Sequence, residues 1–160
     1  MFRPIRRKKK EISTEAAKQL LRTEPRGVLA VCGDEGYPYA LPINFYYKEE
    51  TGKIYFHGAR AGHKVDALKK NDKVCFTVYG NEQIKEEPWA PFLQSTVVFG
   101  RCRMIEDQAL ATALVREIAG KYYPDAAAIE EEIAHAGKAV QIYEITIEHL
   151  SGKEIQELRV

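Results

Sequence analysis

Residues 27–58 read "GVLAVCGDEGYPYALPINFYYKEETGKIYFHG", and they decide the fold. "GVLAVCG" is a short apolar run that suits a buried strand, and "DEG" is its turn. "YPYALPINFYY" then reads as a second, longer strand. Pro38 and Pro42 make it irregular or an edge, because proline cannot donate to a ladder. "KEETG" is a hairpin loop and "KIYFHG" a third strand. Alternation puts Ile54 and Phe56 on one face of it, Tyr55 and His57 on the other.

The same logic extends along the chain. Ser13 or Thr14 caps a helix to about Thr23. Gly62 to Asn71 suits a short helix with Val65 and Leu68 inward. "KVCFTVYG" is strand four, "NEQIKEEPWAPF" (81–92) a loop holding Trp89, and "STVVFGRCRMI" strand five. Residues 107–121 form an amphipathic helix through Leu110, Leu114 and Ile118. Pro124 opens another, to about His135, with Gly137 as its stop. "AVQIYEITIEHL" is the last strand, whose parity change at Ile142 and Tyr143 predicts a bulge. Six antiparallel strands with helices at connections give an α+β protein around a small barrel. A parallel α/β fold would need helices that are missing.

Composition narrows the function. The chain has 160 residues, 24 basic and 23 acidic, for a net charge of +1. That suits one domain (residues 11–160) behind a basic N-terminal arm (1–10), and gives no reason to expect a nucleic-acid partner. No apolar run approaches the roughly 20 residues of a membrane helix. The N-terminus has no apolar stretch behind its charges, so the cytoplasm is the expected compartment. Cys32, Cys75 and Cys102 lack metal-ligand spacing and read as small buried strand residues.

"YFHGARAGHK" (55–64) concentrates the candidate chemistry. His57 and His63 lack a third ligand at metal spacing, so no metal is expected. No elbow motif surrounds Ser95 or the cysteines. A phosphate fits better: Gly58 and Gly62 permit tight turns, and a helix starting at Gly62 points free N–H groups and its positive end outward. Lys64 in the first turn opposes the dipole unless an anion arrives. On residue chemistry alone a phosphate site and a solvated basic turn stay level.

"GYPYALPINF", "YFHGARAGHK" with "DALKKNDKVCF", and "STVVFGRC", in this order and spacing, resemble the flavin-binding split-barrel proteins related to pyridoxamine 5′-phosphate oxidase. The branch of 5-nitroimidazole resistance proteins is the most similar. The resemblance covers about residues 11–152. It implies a split-barrel homodimer with FMN at the subunit interface, acting as an oxidoreductase on a small molecule. It implies that Lys64 holds the FMN phosphate, with His63 in the place of an arginine. His57 and Gly58 would contact the cofactor. Leu41, Pro42, Ile43 and Asn44 would lie along the flavin ring edge, and Ser95 would reach it. His57 is the expected proton donor, or else packs against the ring. Where relatives carry tyrosine and arginine before the serine, this chain has "FLQ". A flavin- or haem-binding protein without turnover is the alternative the resemblance leaves.

Overall fold

The structure is a computed structural model and describes residues 1–85, 90–136 and 140–156. Trp89 and Gly137 lie outside the described residues. The elements run α1 (Thr14–Thr23), β1 (Arg26–Cys32), β2 (Pro38–Asn44), β3 (Tyr46–Lys48), β4 (Lys53–Gly58), α2 (His63–Lys70), β5 (Lys73–Lys85), β6 (Ala90–Met104), α3 (Gln108–Tyr122), α4 (Ala126–Ala136) and β7 (Gln141–Gln156). Among the described residues the strands pair antiparallel throughout.

The described residues form seven strands, against the six expected, and the difference lies at one residue. "YPYALPINFYY" is two strands. Its first part, β2, pairs with β1; its second, β3, pairs with β4. The sheet order is β2-β1-β5-β6-β7-β4-β3, so these two strands are opposite edges of one sheet. Phe45 alone separates them. A chain can step between opposite edges in one residue only if the sheet curls until the edges meet, so this connection imposes a half-barrel. Pro38 and Pro42 sit on the edge strand, where no ladder donor is missed.

Phe45 is fully buried against Phe76, ring centroids 4.9 Å apart. Its backbone leaves both ladders and would be orphaned without α3. The Tyr122 hydroxyl accepts from the Phe45 N–H at 2.7 Å. It lies 2.6 Å from the Pro25 carbonyl and 2.7 Å from that of Phe45. Lys121 Nζ donates to the carbonyls of Glu24 (2.7 Å) and Phe45 (3.0 Å) and sits 3.8 Å from the Phe45 ring centroid. The single hydroxyl proton of Tyr122 can therefore serve Pro25 while Lys121 serves Phe45.

The concave side holds the main core, including Leu20 and Leu21 of α1, Leu29, Ile54, Phe56, Phe76 and Tyr143. Ser13 caps α1 by accepting from the Ala16 N–H. A second cluster lies under α3: Tyr55, Ala111, Leu114, Ile118 and Ile142. Leu110 is exposed, so Ala111 takes the inward place expected for it. β7 is thus covered on both faces. That is why Ile142 and Tyr143 are both apolar, and it corrects the expected bulge: β7 runs in unbroken register with β4 there. The bulge in β7 comes instead at Glu148, which is skipped where Phe99 pairs with His149 and Gly100 with Ile147 of β7. A Cβ on Gly100 would run into the Thr146 carbonyl, so only glycine fits that approach.

The polar run after Tyr79 also departs from expectation. β5 continues to Lys85 and β6 begins at Ala90, with a register shift between Gly80 and Gln83 and Asn81 at φ 53°. Backbone pairing, which no alternation in the sequence announces, extends this hairpin. Of the cysteines, only Cys102 is buried; Cys75 is half-buried and Cys32 exposed.

Burial pushes the Lys121 ammonium down from 10.5 to about 8, with Glu24 pulling weakly the other way. Replacing it should therefore have a pH signature. Lys121→Met should cost about 1–3 kcal/mol at neutral pH, since two carbonyls lose a donor. Between about pH 8 and 10.5 the unfolded chain binds the extra proton, so wild-type stability relative to the mutant should rise with pH. Urea unfolding of both proteins across that range checks it, and a constant difference would contradict it.

Candidate functional site

β4 ends at Gly58, where the edge strands meet and α2 begins. Gly62 is the N-cap of α2, at φ 119°, and caps with no side chain. The first N–H accounted for within the helix is that of Asp66, bonded to the Gly62 carbonyl at 3.0 Å. The N–H groups of the first turn therefore point out of the helix end.

Lys64 leaves this first turn and folds back under β4. Its Nζ lies 5.1 Å from the centroid of Phe56 and 4.7 Å from that of Tyr143, two rings stacked at 4.9 Å. The Tyr143 hydroxyl donates to the Ala59 carbonyl at 2.5 Å, tying β7 to the turn after β4. A Cβ on Gly58 would come within 2.5 Å of the Lys64 ammonium, so the bare glycine is what lets the lysine lie there. Among the described residues no carboxylate comes within 4.0 Å of it. Burial pushes its pKa down, while the Cys102 thiol acts in the opposite sense. Cys102 itself is pushed up to about 12 by burial, so it stays a neutral thiol.

Glu144, next along β7, is the opposite case. It is 2% exposed yet surrounded by donors: Arg103 at 2.8 Å, Lys53 at 3.0 Å and the Tyr55 hydroxyl at 3.0 Å. Burial raises its pKa, but these bonds outweigh that and hold it below the ordinary value. The carboxylate pins β4 and β6 to β7, which fixes the strand that carries His57 and Gly58. Sequence reasoning missed this cluster and Tyr143 because no local pattern marks cross-strand partners.

His57 faces away from the barrel core, as its parity with Tyr55 predicted. It lines a cavity of about 220 Å³ between β4 and helices α3 and α4. Asn44, from the edge strand β2, lines the same cavity. Val115, Ile118, Ala119, Tyr122, Ile133 and Ile142 make the walls largely apolar. The α3–α4 segment thus walls the cavity that His57, itself exposed, looks into, a role the sequence did not announce.

The remaining candidates divide. His63 stacks on Tyr39 at 4.2 Å, and its Nε2 lies 3.5 Å from Asp34. Asp34 also pairs with Lys70 at 3.0 Å, which lowers its pKa. Leu41 and Ile43 point inward from β2 and pack on the core. Pro42 and Asn44 point outward and are exposed. Ser95 also faces outward, its hydroxyl 3.4 Å from the Lys153 carbonyl. Asn44 pairs with Arg26 on β1 and Ser95 with Tyr79 on the neighbouring β5, so Ser95 stands three strand spacings, roughly 14 Å, from Asn44. Within one chain Ser95 does not join the His57 cavity.

That outer face is small and apolar. One row across it is Pro42, Val28, Thr77, Val97 and Ser151; the next is Ala40, Ala30, Cys75, Phe99 and His149. Phe2 of the N-terminal arm stacks on His149 at 4.7 Å and on Phe99 at 5.7 Å. Among the described residues no cluster could hold a metal ion, and no helix is long and apolar enough to cross a membrane.

Comparisons with known proteins bear on this geometry. The family model described as pyridoxamine 5′-phosphate oxidase matches residues 13–154. A 5a,11a-dehydrotetracycline/5a,11a-dehydrooxytetracycline reductase of Streptomyces rimosus is 38% identical over 60 residues, 36% of this chain and 42% of that enzyme. The match thus spans less than half of that relative. Among solved structures, a protein proposed to confer 5-nitroimidazole resistance in Bacteroides thetaiotaomicron superposes with a TM-score of 0.76. It is 19% identical, with 91% of this chain and 87% of that one covered. A protein of Mycobacterium smegmatis that binds FAD and haem gives 0.68 at 22% identity, covering 90% of this chain and 72% of the other. At these identities the structural likeness establishes the fold alone.

Proposed function

This chain belongs to the pyridoxamine 5′-phosphate oxidase family, and from that membership we propose that it is a flavin-dependent oxidoreductase whose cofactor, FMN, is held by its phosphate at Lys64. The observation that carries the reading is the state of that lysine. It is half-buried on two aromatic rings, beside the open end of a helix, with no carboxylate partner among the described residues. Desolvating a cation without a counter-ion is costly. A phosphate at the α2 N-terminus would offset that cost and would also engage the first-turn N–H groups. The residues therefore fit the group. Gly58 and Gly62 leave room for it, and His63 stands at the same helix end.

When bound, the flavin supplies the electron transfer, and the chain supplies binding and proton chemistry. Asn44 and His57 reach one cavity, on the face of β4 opposite the rings that carry Lys64. The imidazole of His57 faces that cavity, where a ring nitrogen can hold a proton for a substrate. Reduction of a nitroaromatic compound, 5-nitroimidazoles included, consumes protons with its electrons, and a donor so placed assists by roughly 10²–10⁴-fold where general acid catalysis operates. The largely apolar walls suit such a ring.

The active form in this reading is a homodimer. The outer rows of Val28, Ala30, Thr77, Cys75 and Val97 form a flat, small-residue surface suited to a second copy. Ser95 and Pro42 share that surface, so a two-fold contact would bring the partner's copy of one toward the other. This supports Ser95 as a flavin contact that a single chain cannot complete.

Three outcomes are expected. Titration with FMN should show Lys64→Ala binding about ten- to a hundredfold more weakly than wild type, the loss of one charge-assisted contact. Lys69→Ala should bind normally. Equal affinity in a folded Lys64→Ala protein, or a haem Soret band in place of a flavin spectrum, would count against the proposal. Light scattering should return twice the chain mass; a monomer that keeps stoichiometric FMN would remove the dimer. His57→Ala should retain FMN but turn over a nitroaromatic substrate more slowly per bound flavin. Unchanged turnover per flavin would leave His57 a packing residue.

A further inference from the structure

We propose that the slot between α3 and α4 is a substrate pocket for a flat apolar molecule that carries a positive charge, and that Glu132 reads the charge. This deepens the proposed function, on which its catalytic meaning rests, by naming the substrate class. Two cavities, of about 220 and 300 Å³, adjoin one another in this slot and share Val115, Ala119, Tyr123, Glu132 and Ile133. His57 lines the first, so the slot leads from the proposed proton donor outward along α4.

Among the described residues, Glu132 is the one acidic residue lining either cavity, and no basic side chain lines them except His57; Glu132 is exposed on α4. The two basic residues of α3 are engaged elsewhere. Arg116 pairs with Glu130 through two bonds, at 2.6 and 3.0 Å. Lys121 turns to the carbonyls of Glu24 and Phe45. Among the described residues no ion pair includes Glu132, and none includes His135, which flanks it on α4. Among the described residues the wall is therefore largely apolar, with a single carboxylate outside any ion pair at its rim. A bound ligand covers part of that carboxylate's water, which is unfavourable unless the ligand returns a positive charge. An anionic ligand would be repelled. Within the nitroaromatic reading, the class narrows to rings that bear an amine or amidine.

Benzamidine and benzamide share size and shape and differ in charge, so they are suitable probes. Calorimetry on the full chain, with FMN present and its absorbance followed in parallel, should give benzamidine about three- to tenfold tighter binding than benzamide, the scale of a partly exposed charge contact. Glu132→Gln should erase the preference without changing benzamide binding, while Glu131→Gln should keep it. Equal affinities in wild type, a preference that survives Glu132→Gln, or binding of neither probe would overturn the proposal. The two readings fail separately. A charge preference without flavin binding would overturn the flavin assignment and leave the pocket; flavin binding without a charge preference would do the reverse.

Discussion

The structure depends on how the backbone crosses Phe45. β2 and β3 lie at opposite edges of one sheet, and a single residue joins them. The curl that makes this step possible also brings the two edges, and with them Asn44 and His57, to one cavity. A buried peptide outside both ladders must still satisfy its N–H and C=O. Tyr122 and Lys121 do so from the last turn of α3. The helix that completes the sheet's weakest point is therefore the same helix that walls the cavity. Fold and site share these contacts, so a change at the crossing would be felt at His57.

Two charges withdrawn from water, Glu144 on β7 and Lys64 on α2, behave in opposite ways. Glu144 has donors from three residues of β4 and β6, and its charge is settled within the chain. Among the described residues Lys64 has ring faces and no carboxylate, and burial pushes its pKa down. A cation resting on two stacked rings gains some attraction, on the order of 0.5–2 kcal/mol, which is less than a carboxylate partner would give in such a setting. The first is a device for holding strands in register. The second is left short of a partner where a helix end also lacks one, and that coincidence points to an anion.

Much of the fold was legible in the sequence. The α1 cap at Ser13, the alternation of Ile54 and Phe56 against Tyr55 and His57, and the edge character forced by Pro38 and Pro42 all hold. What was not legible follows from long-range geometry. The break at Phe45 sits in an unbroken apolar run and is visible only through pairing. Ile142 and Tyr143 look like a bulge because strand alternation assumes one buried face, whereas β7 has two. At the site, the His57–Gly58–Lys64 corner was readable from glycines and charge order. Tyr143 beneath Lys64, and the cavity walls that α3 and α4 raise beside His57, were not, since these partners lie far along the chain, beyond the reach of local patterns.

The central claim is that Lys64 and the first turn of α2 hold a phosphate. Comparing FMN with riboflavin on the wild-type protein tests it most directly, because the two share the ring and differ in the phosphate alone. Equilibrium titration followed by flavin fluorescence should show FMN bound about ten- to a hundredfold more tightly, the range of one or two charge-assisted contacts. Equal affinity for the two flavins would contradict the account.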